Sequence, residues 1–422
     1  MIRRKSTALL IVTVLLLMAV VPAHAATEQV NLVFAMWIGG NPGEPDAQRE
    51  LIQRYMDENP HVNIELIYQG WNGYHDRLYT MAAGGVTPDI MAISRIYLPI
   101  FVERGIVQPI DPWLSQESPE FLGNIVELVS GTYRNQVYGF PIWGGPIVAA
   151  YNADLFEQAG LAEPKDLAQR GDWTWDIFVD YGKRITRDID GDGRRDVFMH
   201  AGLGTRPADW YIKVRGFGAD VLTPDGKPFT DVGALERGLE FWASLAHEHR
   251  ITPLPGESSG LVAGTEAVYF SWISDVPSHY NRIASSFRLE IAPPPAGPAG
   301  LFTLVGGVPI SVSSITQHPE EAYKFARWYA MESGHWKIRG TPPGLDDMTT
   351  SYRDYLGTMV SWPEAVVEAM AGAVSMEPGV GPYYDDLNRG WNQVLAQVAR
   401  GEIAPREGAI RIIEHTQATL GE

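Results

Sequence analysis

The most ordered pattern of potential ligands in the chain is D-x-D-x-D-G-x-x-D, formed by Asp188, Asp190, Asp192, Gly193 and Asp196. Oxygens at alternate positions, with a glycine for a sharp turn, suit a hard cation such as calcium. The start matches an EF-hand loop, but the twelfth position is Met199, where that loop wants a bidentate Glu. Asp196, at the ninth position, is the substitute. The expectation is a structural calcium on Asp188, Asp190, Asp192 and Asp196, set against a solvated loop held by Asx turns. Catalytic patterns are weaker. Gly256-Glu257-Ser258-Ser259-Gly260 fits G-x-S-x-G, but that chemistry needs a strand before the serine and a helix after it. Pro253 and Pro255 stand there instead. His247 and His249, two apart, point to different helix faces and do not share a metal. No HExxH, P-loop or GxGxxG occurs. No catalytic residue and no required cofactor are expected.

The other candidates are residues that bind without reacting. Five of the 13 Trp lie off helical stripes: Trp37, Trp71, Trp143, Trp210 and Trp272. Aromatic rings line both cores and pockets, and these five are candidates for a pocket wall. Trp173, Trp175, Trp242, Trp328 and Trp391 lie on or beside helical stripes and are assigned to the core. Arg95 and Arg339 can donate to ligand oxygens, with surface ion pairs as the competing role. Glu44 and Asp46 follow the first strand, Asp46 as a helix cap. Gly306 and Gly307 permit close backbone approach.

Elements must hold these residues in place. VNLVFAMW (30–37) reads as a buried strand, and Pro45-Asp46 opens a helix that Asn59-Pro60 stops. Val62, Ile64, Leu66 and Tyr68 alternate as a second strand. A second helix carries Tyr74, Leu78 and Met81 and ends at Gly84-Gly85, and Asp89 to Ser94 is a third strand. Strand-helix-strand-helix-strand implies right-handed crossovers and a parallel sheet. Ligands gather at the carboxyl ends of strands in such sheets, a rule that Trp37, Trp71, Ser94 and Arg95 satisfy. Val137–Ile142 and Ile147–Tyr151 read as two short strands. Thr174 caps a helix, with Trp173 and Phe178 as a hydrophobic staple. Leu301–Ser313 returns to strand character, and helices carrying Leu387, Trp391 and Leu395, then Ile412 and Ile413, close the chain.

At the start, Arg3-Arg4-Lys5, an apolar run from Ala8 to Val21, and Ala23-His24-Ala25 form a secretory signal over 1–25. The run is short of the roughly 18–20 residues a spanning helix needs. The chain has no cysteine, hence no disulfide, thiolate nucleophile or lipidated N-terminal cysteine. With 33 Lys plus Arg against 51 Asp plus Glu, its surface repels nucleic-acid phosphates.

The order of segments resembles the extracellular solute-binding proteins of ABC importers, in the sugar-binding, maltose-type branch. The resemblance rests on MWIGG (36–40), NPHVNIELIYQGW (59–71), AAGGVTPDIMAIS (82–94), FVERGIVQPID (101–111), VYGFPIWGGPIVAAYNADLFEQAGL (137–161), DWTWDIF (172–178) and VGGVPISVSSITQHPEEAYKFARW (305–328). It implies an α/β, two-lobed periplasmic binding protein fold with hinge strands and an interlobe ligand cleft. The implied lobes are 27–142 plus 306–350 and 143–305 plus 351–422, with crossings near 138–143 and 304–307 and a third in 348–362. It implies that Tyr384 faces the ligand, and that some relatives have acidic loops like that of 188–196. A carbohydrate would stack its C–H face on the candidate indoles and hydrogen-bond its hydroxyl edge. Closure around it is a hinge motion, for which periplasmic binding proteins are a standard example. The implied partners are a carbohydrate and the membrane permease subunits. A monomer, exported to the periplasm, free of a lipid anchor and without nucleic acid, is expected. The alternatives are an exported carbohydrate-active enzyme, or a ferric-iron binder using Tyr383-Tyr384.

Overall fold

A computed structural model describes residues 29–39, 43–125, 131–223, 226–254, 257–374 and 383–421. The signal segment 1–25 lies outside the described residues. Three strands open the fold: β1 (Val30–Trp37), β2 (Val62–Gln69) and β3 (Ile90–Ala92). Helix α1 (Glu44–Glu58) connects the first pair and α2 (Tyr74–Ala83) the second. β1 pairs in parallel with both neighbours, as right-handed crossovers require. Asn59 and Gly84 end the two helices.

A small hairpin, β4 (Thr132–Tyr133) with β5 (Gln136–Val137), precedes β6 (Gly139–Asn152). β6 corrects the sequence reading of two short strands. It is one 14-residue strand with a register shift between Pro141 and Trp143. Pro141 and the Gly144-Gly145 pair mask it in the sequence, because proline and glycine ordinarily mark strand ends or bulges. The sheet is also mixed rather than purely parallel. β9 (Thr303–Val312) runs antiparallel to β3 on one side and to β6 on the other. β6 continues into a second region, where it pairs with β7 (Val268–Trp272) and β8 (Leu289–Ala292). β10 (Ala373–Val374) pairs with β9. One sheet therefore runs through the whole molecule in the order β2-β1-β3-β9-β6-β7.

Two halves condense on this sheet. On one side Phe34, Met36, Ile90, Phe140, Ile310, Phe325 and Tyr329 share a core. Phe325 and Tyr329 come from the helix Pro319–Met331, and both set their rings edge-on to Phe34, at 5.4 and 5.1 Å. On the other, β6 shows strand alternation directly. Ile147, Ala149 and Tyr151 enter one cluster with Trp175, Phe270 and Trp391, while Val148 and Ala150 enter another with Ile273, Ile291 and Trp336. Thr174 caps its helix by accepting from Ile177 N, and Trp173 and Phe178 meet at 6.1 Å as a staple. The long helices Val232–His247, Tyr384–Ala399 and Pro405–Leu420 close this half, with Trp242, Trp391 and Ile412 buried.

Candidate ligand-binding site

An aromatic wall stands at the carboxyl ends of β1, β2 and β3. Trp37 is the last residue of β1, Trp71 follows β2, and Tyr74 and His75 open α2. The Trp37 ring meets Trp71 at 5.0 Å and Tyr74 at 5.2 Å, both edge-on. The Tyr74 hydroxyl lies 2.9 Å from Ala35 O and 2.8 Å from Ala92 O, tying α2 to two strands. His75 Nε2 accepts from Ser94 N at 3.1 Å, and burial lowers its pKa to about 3, so the ring is neutral. Tyr97 stacks on His75 at 4.1 Å. Trp71 is 43% exposed, and so presents a free indole face at the rim.

From the opposite half, Tyr384 opens its helix with its ring 6.0 Å from Tyr97. The Tyr97 hydroxyl donates to Asp385 Oδ1 at 3.1 Å. Trp272 ends β7 with its ring against Gly306, where an added Cβ would fall 3.1 Å from the indole. Next to it, Gly307 O accepts from Arg95 N at 2.9 Å. Gly306 thus lets backbone lie against an indole, a contact that a side chain there would crowd.

Glu44 and Arg339 form a buried pair, not the surface ion pair that was the competing role for Arg339. Glu44 is 1% and Arg339 8% exposed. Arg339 Nε donates to Glu44 Oε1 at 2.5 Å, and Nη2 donates to Trp37 O. Asp46 is not the cap of α1. Gly43 holds that position, and Asp46 pairs with Arg49 at 2.9 Å in solvent. The proline at the second helical position already fixes the turn.

A model of the bacterial extracellular solute-binding protein family matches residues 40–334. The chain belongs to that family. An uncharacterized lipoprotein in the oleD 5′ region of Streptomyces antibioticus is 27% identical over 342 residues, 76% of this chain and 72% of that one. Among solved structures, an ABC substrate-binding protein from Listeria monocytogenes in complex with cycloalternan superposes with a TM-score of 0.80 at 18% identity, covering 93% of this chain and all of that one. The maltose/maltodextrin-binding domain of Bdellovibrio bacteriovorus, bound to maltotriose, gives 0.76 at 18% identity with the same coverage. The two halves are the two lobes of this fold, and the aromatic wall faces the second lobe across their junction.

Not every expected residue joins the wall of the binding protein. The structure brings Trp37, Trp71, Ser94, Tyr384, Glu44 and Arg339 together through the contacts above. Trp210 instead sits 2% exposed in the second lobe's core, beside Tyr211. The Trp143 side chain lies outside the described residues. The acidic loop is remote in character as well as in sequence, being largely exposed. Asp188, Asp190 and Asp196 each offer a carboxylate oxygen within 4.8 Å of the others. The same carboxylates accept from Gly191, Gly193, Asp192 and Ile189 backbone N–H groups, and Asp192 accepts from Arg194 N. These backbone bonds hold the Asp188 carboxyl below its usual range.

Sequence reasoning did not single out Tyr74, His75, Tyr97 or Asp385 for the site, nor Arg206. His75 and Tyr97 carried no signal beyond lying near strand ends. Arg206 sat unnoticed before Pro207. Its Nε and Nη2 donate to both Asp209 oxygens at 2.9 and 2.8 Å, and Nη1 donates to the Tyr269 hydroxyl. Behind it lies a buried ionisable cluster. Lys213 Nζ donates to Asp209 O at 2.7 Å and stands 4.5 Å above the Phe270 ring. Burial lowers Lys213 to about 7 and raises Glu266 to about 8. Arg206 is thus a fixed guanidinium held by a bidentate carboxylate.

Proposed function

We propose that this protein captures a carbohydrate between its lobes and delivers it to the membrane permease of an ABC importer. The observation that carries this reading is the wall of Trp37, Trp71, Tyr74, His75 and Tyr97, joined across the lobes to Tyr384 and Asp385. Flat rings beside fixed carboxylates and guanidiniums match the two surfaces of a sugar. The ligand touches both lobes only when they are closed, so it shifts the population toward closure. The lobes are taken as 27–142 plus 306–350 and 143–305 plus 351–422. On this reading the ligand leaves unchanged, with the Glu44 carboxylate and the Arg339 guanidinium held to each other. The protein acts as an exported monomer. No helix among the described residues is long and apolar enough to cross a membrane. The aspartate loop holds a structural calcium through Asp188, Asp190 and Asp196, the expected Asp192 standing outside that group.

A thermal-shift screen of mono- and oligosaccharides tests this, since a ligand that binds only the native state raises its melting temperature. At least one sugar is expected to give a clear shift and to be recovered intact by chromatography. A screen without any shift, or a sugar converted to product, refutes the reading.

A further inference from the structure

At one point of the chain, consecutive residues are buried in opposite lobes. His335 and Trp336 are 1% and 3% exposed. His335 follows the helix Pro319–Met331 of the first lobe, stacks on Tyr329 at 5.1 Å and donates from Nε2 to the Ile142 carbonyl. Trp336 instead enters the second lobe's cluster of Val148, Ile273 and Ile291, with Tyr352 at 5.9 Å and Tyr355 at 5.8 Å. Gly340, at φ 67°, lays its backbone on the helix Val276–Ile283, where an added Cβ would fall 2.3 Å from Pro277 Cγ. Its carbonyl accepts from the Tyr352 hydroxyl at 3.0 Å. The chain then returns to the first lobe, where Leu345 joins the core of Met36 and Ile310. Residues 336–341 are thus a peg, rooted at both ends in the first lobe and seated in the second. The peg adjoins a crossing strand, since an added Cβ on Gly145 of β6 would fall 3.1 Å from Pro342 Cδ.

Arg339 turns back from this peg. Its Nε donates to Glu44 Oε1 at 2.5 Å, its Nη2 donates to the Trp37 carbonyl, and its guanidinium stands 5.9 Å from the Trp37 ring. The Tyr68 hydroxyl sits beside the same carboxylate, and burial together with that charge raises its pKa. Trp37, Glu44 and Tyr68 all belong to the strand-helix-strand opening of the first lobe. Parting the lobes at the peg therefore means one of two things. Either a buried indole is drawn out of its core, which opens a cavity, or a buried carboxylate is left without its guanidinium. Farther along the wall the lobes meet through an exposed hydrogen bond from Tyr97 to Asp385 and a ring contact of Tyr97 with Tyr384. An exposed joint of that kind yields before a buried one. We infer that the lobes swing about Arg339 and part at Tyr97. Arg339 is then a positioning residue, holding Trp37 at a fixed depth against the second lobe while the rim opens. Nothing in this swing depends on which ligand is bound.

The test uses the full chain without ligand. Urea unfolding is followed by tryptophan fluorescence and by circular dichroism, and overall size by small-angle scattering. With the pivot whole, the two probes should share one transition. Arg339→Met should split it in two, one step for each lobe, and should expand the scattering profile. Arg339→Lys keeps the charge but not the fork that reaches both Glu44 and the Trp37 carbonyl, and should show the same changes to a lesser degree. Glu44→Gln should move both readouts in the same direction, and the double variant should fall well short of the sum of the two. A single coincident transition at lower urea, with an unchanged scattering profile, would make the pair a stabiliser of one lobe and overturns the inference. Two transitions in the unaltered chain overturn it as well. If the Arg339 variants do not fold, native-state hydrogen exchange of the unaltered chain decides. The amides of Ile338 and Gly340, bonded to the His335 and Trp336 carbonyls at 3.0 and 2.7 Å, should be protected as strongly as those of β1. Exchange at the rate of an open loop would show that the peg leaves its seat, and overturns the inference.

Discussion

Replacing Trp71 with alanine separates binding from folding. The indole is 43% exposed and touches its neighbours through ring edges, Trp37 at 5.0 Å and His75 at 5.2 Å. Edge-on aromatic pairs contribute about 0.5–1.5 kcal/mol each. Two such contacts set the stability loss at about 1–3 kcal/mol, because the exposed face leaves no sealed cavity. Trp37, only 8% exposed, should by contrast lose about 3–5 kcal/mol on truncation. Binding should behave in the opposite way. An exposed ring at the mouth of the site is an anchor of the kind whose removal costs at least about 2 kcal/mol, or roughly 30-fold in affinity. Urea unfolding of Trp71→Ala, with calorimetric titration of the sugar that gives the largest thermal shift, measures both. Unchanged affinity, or a stability loss as large as that of Trp37→Ala, would refute the assignment of Trp71 to the ligand.

Three further outcomes are expected. Tyr97→Phe removes the interlobe hydrogen bond to Asp385, a bond to a charged group contributing about 1.5–3 kcal/mol; affinity should fall about tenfold or more and the unliganded protein should expand in small-angle scattering, whereas an unchanged profile excludes an interlobe role. Acid should destabilise the fold below pH 6.5. Burial lowers His75 to about 3 and His279 and His335 to about 4, so their stabilisation is complete above the unfolded value near 6.5 and is lost as pH falls toward 4. Glu266, raised to about 8, opposes this between pH 8 and 4.5. With His200, also held well below its ordinary value by burial, the net loss in urea titrations should be about 4 kcal/mol per pH unit between 6 and 4.5, and His75→Gln should lessen it by about 1.4 kcal/mol per unit. Millimolar calcium should raise the melting temperature by a few degrees, and Asp188→Asn should abolish the rise; no shift means that the loop is held by its Asx turns alone.

The parallel βαβαβ opening was legible because its strands alternate or run apolar and its helices stop at Asn59 and Gly84. Trp37 and Trp71 followed from strand ends alone. Trp210 did not, because an indole one turn inside a helix points wherever the helix register sends it, here into the core. His75 and Tyr97 were hidden for a related reason. Each is an ordinary residue until β1, β2 and β3 align, when backbone bonds such as Ser94 N to His75 fix the ring. Glu44 and Arg339 lie 295 residues apart, so no local pattern announces their pairing. β6 reads as two strands in the sequence because Pro141 and the paired glycines speak locally for a break, while β9 supplies the partner that holds the strand together.

Where β6 and β9 run side by side, Pro141 stands opposite Pro309. Neither can donate across that rung, and the Pro309 carbonyl turns instead to Ile93 N at 2.9 Å. A change of curvature there severs no cross-strand bond between the two prolines. The strand pair can flex at this rung without parting β6 from β9, and the bond it strains is the one from Ile93 N to the Pro309 carbonyl.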